Sequence, residues 1–209
     1  MAKTVGGSAS ARVGTVVERV FAATERLLGR VRAAELTVAD ILSEAQISRR
    51  TFYTHFRSKD QVIVALVERT MREMPAIAQP FLARAPDESR RDALRRSIGL
   101  AIKLWSEHRF VLRAVAEQWR DMAEIRESWL AVIERFTTAI SAEIDAERAA
   151  GQAPPGPDSS QLAAMLLWST SHTIYIAGLN VDADLPDESS LLDAFTTLWI
   201  GTIYGSLPT

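Results

Sequence analysis

The sequence predicts an all-α fold of about nine helices: a three-helix helix-turn-helix unit at the N-terminus and a larger helical body after it. Three observations carry that expectation. Apolar residues recur at intervals of three and four, Ser and Thr stand where helices would begin, and stretches rich in Gly and Pro separate the periodic segments. No alternation of apolar and polar residues competes as a strand. The division expected is a helix-turn-helix unit over 1–58, with a fourth helix from 59 connecting it to a body over 59–209.

In the first helix Val13, Val16, Val17, Val20, Phe21, Ala23, Leu27 and Leu28 form one apolar side, while Glu18, Arg19, Glu25 and Arg26 face elsewhere. Thr37 precedes Asp40, Ile41 and Leu42 and fits the N-cap of a short second helix. Ala45, Gln46 and Ile47 interrupt it. Ser48 then caps a third helix from Arg49 to His55, with Phe52 and Phe56 four apart as its buried pair. Ser58 and Gln61 fit a capping box for a fourth helix through Val62, Leu66 and Val67 towards Pro75. Beyond Pro86 the period predicts helices over 93–105, 109–118 and 125–148, and Gly151 to Pro157 is a break. Two last helices follow, over 159 to about 178 and about 188 to 204, parted by the polar stretch 181–187.

With 209 residues, 47% of them apolar and 24% charged, the chain has an ordinary globular composition and can bury a core. It contains no cysteine, which removes disulfides, thiolate metal ligands and a cysteine nucleophile, and suits a reducing compartment. The first residues lack a secretory apolar run, and no later stretch approaches the roughly 20 apolar residues of a membrane span. A cytoplasmic protein with no membrane partner is expected. Net charge is only −2, but residues 1–74 carry +4 and the remainder −6. From Ala45 to Lys59 there are Arg49, Arg50, Arg57 and Lys59 and no acidic residue. On charge alone a solvated face would look the same.

Two short helices joined by a tight turn, the second opening on Arg-Arg-Thr, are what a helix-turn-helix requires. The start of the second helix would enter the major groove, where arginine forks onto guanine and hydroxyls or aromatics meet methyl groups. Arg49, Arg50, Thr51, Tyr53 and His55 are the candidate base readers. Thr37, Ser48, Tyr53 and Lys59 stand near helix starts and are the candidates for phosphate. Phe52 and Phe56 are expected in the core.

An enzyme is a poor alternative. His55, His108 and His172 are the only histidines, and although Ser169, Ser171 and His172 lie close in sequence, neighbours 171 and 172 point apart on a helix. There is no Gly-x-Ser-x-Gly elbow, metal-spaced histidine pair, phosphate-cradling glycine loop or dinucleotide fingerprint. No catalytic residue, metal or cofactor is expected. A helical module that contacts another protein through the same two helices stays open; steep salt dependence would mark DNA binding instead.

Thr37-Val-Ala-Asp40-Ile41 and the run Ala45-Gln-Ile-Ser48-Arg-Arg-Thr51-Phe52-Tyr53-Thr-His55-Phe56-Arg-Ser58-Lys59 together resemble the DNA-binding signature of the tetracycline-repressor (TetR) family. Gln46 departs from that pattern, which usually carries glycine there; a left-handed non-glycine residue costs roughly 1–2 kcal/mol. Trp105 to Arg113, Ile144 to Arg148 with Gly151, and Leu198 to Gly205 are similar to the mycobacterial ethionamide-resistance repressor (EthR-like) branch. The resemblance implies a repressor that binds a palindromic double-stranded operator as a homodimer and is released by a small hydrophobic effector.

Two further expectations rest on it. The last two helices are apolar over much of their circumference, as core helices of a monomer or a dimer interface would be. The resemblance implies the dimer, with Leu162, Met165, Trp168, Tyr175, Leu192, Phe195 and Ile203 between the copies. Trp105, Phe110, Trp129, Ile133, Phe136, Ile140, Leu166, Leu167, Thr170 and Trp199 fall on inward faces that a plain core would also explain. The resemblance implies that they line an effector tunnel. Leu167 and Thr170 occupy places where the related branch has asparagines, so polar anchoring of a ligand is expected to be weaker.

Overall fold

The computed structural model describes residues 7–179 and 187–205, with side chains from residue 16 onward except that of 188. Val13 of the first apolar stripe and residues 181–186 of the expected break lie outside the described side chains and residues. The described residues form ten α-helices and no strand: α1 Gly7–Leu28, α2 Val38–Ala45, α3 Arg49–His55, α4 Lys59–Met71, α5 Pro75–Leu82, α6 Arg90–Glu107, α7 Arg109–Gln118, α8 Ala123–Ala149, α9 Ser159–Gly178 and α10 Glu188–Tyr204.

The element not anticipated is α5. Pro75 looked like the end of a helix, but it sits in the first turn of α5, where its missing N–H costs no hydrogen bond. The starts of α2, α3 and α4 follow their caps. Thr37 and Asp40 form a reciprocal capping box at α2, and the Ser48 hydroxyl accepts from the Thr51 N–H at 3.1 Å at α3. At α4 the Ser58 hydroxyl accepts from Gln61 N–H, while the Gln61 side chain accepts from the N–H of Arg57 rather than that of the cap residue itself.

Two apolar cores result. One joins α1–α4 to α7 and the first half of α8, through Val20, Ile41, Phe52, Val62 and Leu66 with Leu112 and Ile125, all without solvent contact. The other joins α6, the second half of α8, α9 and α10 through Ile98, Ile144, Leu166, Phe195 and Ile203. Trp105 and Phe136, both half-buried, pack against each core and form the seam between them. At the far end of the body the buried carboxylate of Glu147 is held by Arg90 at 2.7 Å, and burial pushes the Tyr204 hydroxyl well above the ordinary phenol range. No described helix is long and apolar enough to cross a membrane.

Candidate nucleic-acid interface

Helix α3 is fixed by what it buries. Phe52 is fully covered, its ring 5.7 Å from Phe56, which in turn lies 5.9 Å from Phe21 of α1. With that side anchored, Arg49, Arg50 and Tyr53 stand exposed to solvent, and Tyr53 is held edge-on to Phe52 at 5.3 Å. Thr51 and His55 are half-buried at its margins. The Thr51 hydroxyl lies 2.8 Å from that of Ser48, so both are engaged within the first turn of the helix.

The α2–α3 turn falls where the periodicity breaks, and it carries the left-handed residue that the resemblance implied. Gln46 has φ 52° and ψ 48°. Its N–H and that of Ile47 reach back to Ser43 and Leu42 at 3.3 and 3.1 Å, closing α2 in a Schellman arrangement. The Arg19 guanidinium crosses from α1 and donates to the carbonyls of Ala45 and Gln46 at 2.6 and 2.8 Å. Nothing in the sequence marked Arg19 for this task.

The phosphate candidates fare differently. Lys59 does not reach outward as expected: its ammonium donates to the carbonyls of Ala34 and Ala33 at 2.9 and 3.2 Å, closing the bend between α1 and α2. The Thr37 hydroxyl donates to the Asp40 carboxylate at 2.6 Å, and the bonds from this hydroxyl and from the Thr37 N–H hold that carboxyl below its ordinary range. Ser48 is bonded within α3. Of the four, Thr37, Ser48 and Tyr53 are exposed and Lys59 is half-buried.

In the body, the ten residues expected along a tunnel all lie in or beside the two cores. Trp129 and Ile133 belong to the first, Ile140, Leu166 and Trp199 to the second, Trp105 and Phe136 span both, and Leu167 packs on the second. Thr170 is buried and accepts from the Trp199 indole N–H at 2.9 Å. Rings run in series across the seam: Trp119 to Trp168 at 6.2 Å, Trp168 to Trp129 at 6.5 Å, Trp129 to Trp105 at 6.4 Å and Trp105 to Tyr175 at 6.2 Å. Trp119 was missed in the sequence because it lies just past the end of α7, outside any periodic stretch.

Phe110, half-buried, packs on the first core at its edge. It lies one residue into α7, beside the end of α1, with Arg109 and Arg113 over its ring at 4.7 and 5.7 Å. A Cβ on Gly29 would lie 3.0 Å from the edge of the Phe110 ring, so a larger residue there would push the ring aside by a few tenths of an ångström.

The expected dimer residues also divide. Leu162, Phe195 and Ile203 are covered inside their own chain, Ile203 to 1% exposure, so they cannot be presented to a second copy in this conformation. Tyr175 and Leu192 are half-buried, whereas Met165 and Trp168 are exposed on α9, together with Leu198 on α10, which the expected set omitted.

Comparison with known proteins accords with this geometry. Residues 20–66 match the family model described as bacterial regulatory proteins, tetR family, and residues 94–205 match that of the transcriptional regulator EthR, C-terminal domain. The HTH-type transcriptional regulator EthR of Mycobacterium tuberculosis (strain ATCC 25618 / H37Rv) is 28% identical over 186 residues, 89% of this chain and 86% of its own length. The EthR of Mycolicibacterium smegmatis (strain ATCC 700084 / mc(2)155) is 29% identical over 189 residues, 90% of this chain and 86% of its own. Among solved structures, the fatty acid degradation regulator FadR from Bacillus halodurans superposes with a TM-score of 0.71 at 15% identity, covering 95% of this chain and 97% of that one. The regulatory protein TetR from Rhodobacter sphaeroides superposes at 0.66 with 17% identity over 87% of this chain and 95% of that one. At such identities the two superpositions speak for the fold alone.

Proposed function

The chain belongs to the TetR family of DNA-binding transcriptional regulators, with an EthR-type C-terminal domain, and from that premise we propose that it is a repressor that reads a palindromic operator as a homodimer. That family regulates transcription and does not catalyse a reaction. The observation that carries the reading is α3 itself: a two-turn helix anchored by Phe52 with Arg49, Arg50 and Tyr53 exposed to solvent. Arg49 and Arg50 read bases with Thr51, Tyr53 and His55 beside them, while Tyr53 and Ser48 meet the backbone. Residues 1–58 are the DNA-binding unit and 59–209 the effector-binding and dimerising body.

One α3 covers too few base pairs for a unique site, and a twofold pair reads half-sites about 34–36 Å apart or a multiple of that. Met165, Trp168 and Leu198 are the exposed apolar residues on α9 and α10 around which the second copy packs. The effector is a small apolar molecule held at the seam by Trp105, Phe136, Trp129 and Leu167. It releases DNA by favouring a dimer in which α4 carries the two α3 helices out of groove register, to the extent that it binds that state more tightly. The protein works in the cytoplasm, where its operator lies.

Selection of duplexes from a randomised pool with the purified full chain tests this reading. An inverted repeat with fixed half-site spacing is expected, and titration with apolar compounds should dissociate the complex. A motif without twofold symmetry would remove the homodimer. Ligands that bind the body and leave DNA affinity unchanged would remove induction.

A further inference from the structure

The geometry points to Arg19 as a positioning residue for the recognition helix: a side chain from α1 that sets the angle of α3 by holding the two carbonyls at the α2–α3 turn. The inference rests on the DNA-binding reading above and adds a specificity determinant outside the helix-turn-helix itself.

A helix ends with four carbonyls that have no intrahelical donor. In α2 these are the carbonyls of Leu42, Ser43, Glu44 and Ala45. The Schellman bonds from Ile47 and Gln46 engage the first two. Arg19 Nη2 takes the Ala45 carbonyl and, one residue further, that of Gln46, at 2.6 and 2.8 Å. The charge also suits its place, because a cation at the end of a helix meets the negative pole of the backbone dipoles.

Only Gln46 and Ile47 lie between the end of α2 and Ser48, the cap of α3. The direction of α3 therefore depends on the dihedrals of those two residues, and Gln46 is the one non-glycine residue with positive φ among the described residues. A side chain there is disfavoured, so the turn is held in a conformation it would leave more readily than a glycine would. Arg19 supplies the restraint from a third helix. Its neighbour Glu18 is bonded to Arg69 of α4 at 3.0 Å, and Arg69 also holds Glu25 at 3.1 Å, so the helix that carries the restraint is itself tied to α4.

The test uses the full-length chain, a duplex recovered from the randomised pool by wild-type protein, and a scrambled duplex of the same composition. Arg19→Ala should weaken the selected duplex by about tenfold, the worth of roughly one charge-assisted bond, and leave the scrambled duplex unchanged. The slope of log affinity against log salt should not move. Gln46→Gly in the Arg19→Ala background should recover most of the lost discrimination, because the turn no longer needs the restraint, and Arg19→Lys should lie between the two. Circular dichroism confirms that each variant is folded; if Arg19→Ala is not, the Lys variant and the double variant give the same reading.

Equal loss on both duplexes with a slope shallower by about one would make Arg19 a phosphate contact and overturn the inference. A lower melting temperature with unchanged discrimination would reduce it to a packing residue. If the wild-type chain selects no duplex, the DNA-binding reading fails and this inference with it; if it selects one that Arg19→Ala reads equally well, the positioning role alone fails.

Discussion

The guanidinium of Arg113, on α7, donates through Nη2 to the main-chain oxygen of Leu28, the last residue of α1. The same side chain lies over the ring of Phe110, which fills the space left by Gly29. The helix-turn-helix is thus docked on the body at a helix end, by a cation on an orphan carbonyl and a ring on a glycine. Arg113→Ala should cost about 1–2 kcal/mol, near the low end for a bond to a charged group because Arg113 is only partly buried. A lower urea midpoint at constant slope would bear this out, and an unchanged midpoint would show that the contact contributes nothing.

At α3 the two arginines should separate from the pinned lysine. Arg49→Ala or Arg50→Ala should relax sequence preference by about 1–3 kcal/mol if the side chain forks onto a base. Lys59→Ala should instead lower thermal stability, since its ammonium closes a bend through the carbonyls of Ala33 and Ala34. Equal discrimination in both arginine variants, measured by competition with random duplex, would defeat the base-reading assignment.

The buried bond from the Trp199 indole to Thr170 gives a test within the body. Thr170→Val keeps the volume but leaves the indole N–H without its acceptor, at a cost of about 1–3 kcal/mol. Chemical denaturation followed by far-ultraviolet circular dichroism measures it, and a neutral result would mean that the indole finds another acceptor.

The surface of α9 and α10 should respond by depth. Met165→Glu and Leu198→Glu place charges at exposed positions and should yield folded monomers in sedimentation analysis. Ile203→Ala should leave association intact but destabilise the fold by roughly 2–4 kcal/mol, as expected for a truncated core side chain. Monomers from the Ile203 variant, with both glutamate variants still paired, would invert the assignment of these faces.

Acid should loosen α2 early. The Asp40 carboxyl is held below its ordinary value of 3.8 by the Thr37 hydroxyl first and the Thr37 N–H second. A carboxyl depressed in the folded state adds stability above its unfolded value, and that stability is lost as pH falls through the folded one. Asp40→Asn should therefore melt lower than wild type at neutral pH and lose less between about pH 5 and pH 2. Parallel melting curves for the two proteins across that range would exclude the contribution.

Much of this was legible in the chain because the signals are local. Thr37, Ser48 and Ser58 each cap a helix by accepting the N–H three residues on, and Phe52 and Phe56 share a face because they are four apart. What was hidden depends on partners that carry no pattern. Arg19, Lys59 and Arg113 all bond main-chain carbonyls, which every residue possesses, so no spacing announces them. The faces of α10 were ambiguous for a different reason: with apolar residues around most of its circumference, periodicity could not tell the inward Ile203 from the outward Leu198. Pro75 misled because a proline that ends one helix and a proline that opens the next look alike.

Four of the five tryptophans, Trp119, Trp168, Trp129 and Trp105, form one series with neighbouring centroids no more than 6.5 Å apart. Indoles this close share excitation, so their near-ultraviolet ellipticity and emission belong to the ensemble rather than to any one chromophore. The chain thereby carries its own optical gauge of the body's interior: whatever slides between those rings, or parts them, changes colour and polarisation before any label is attached.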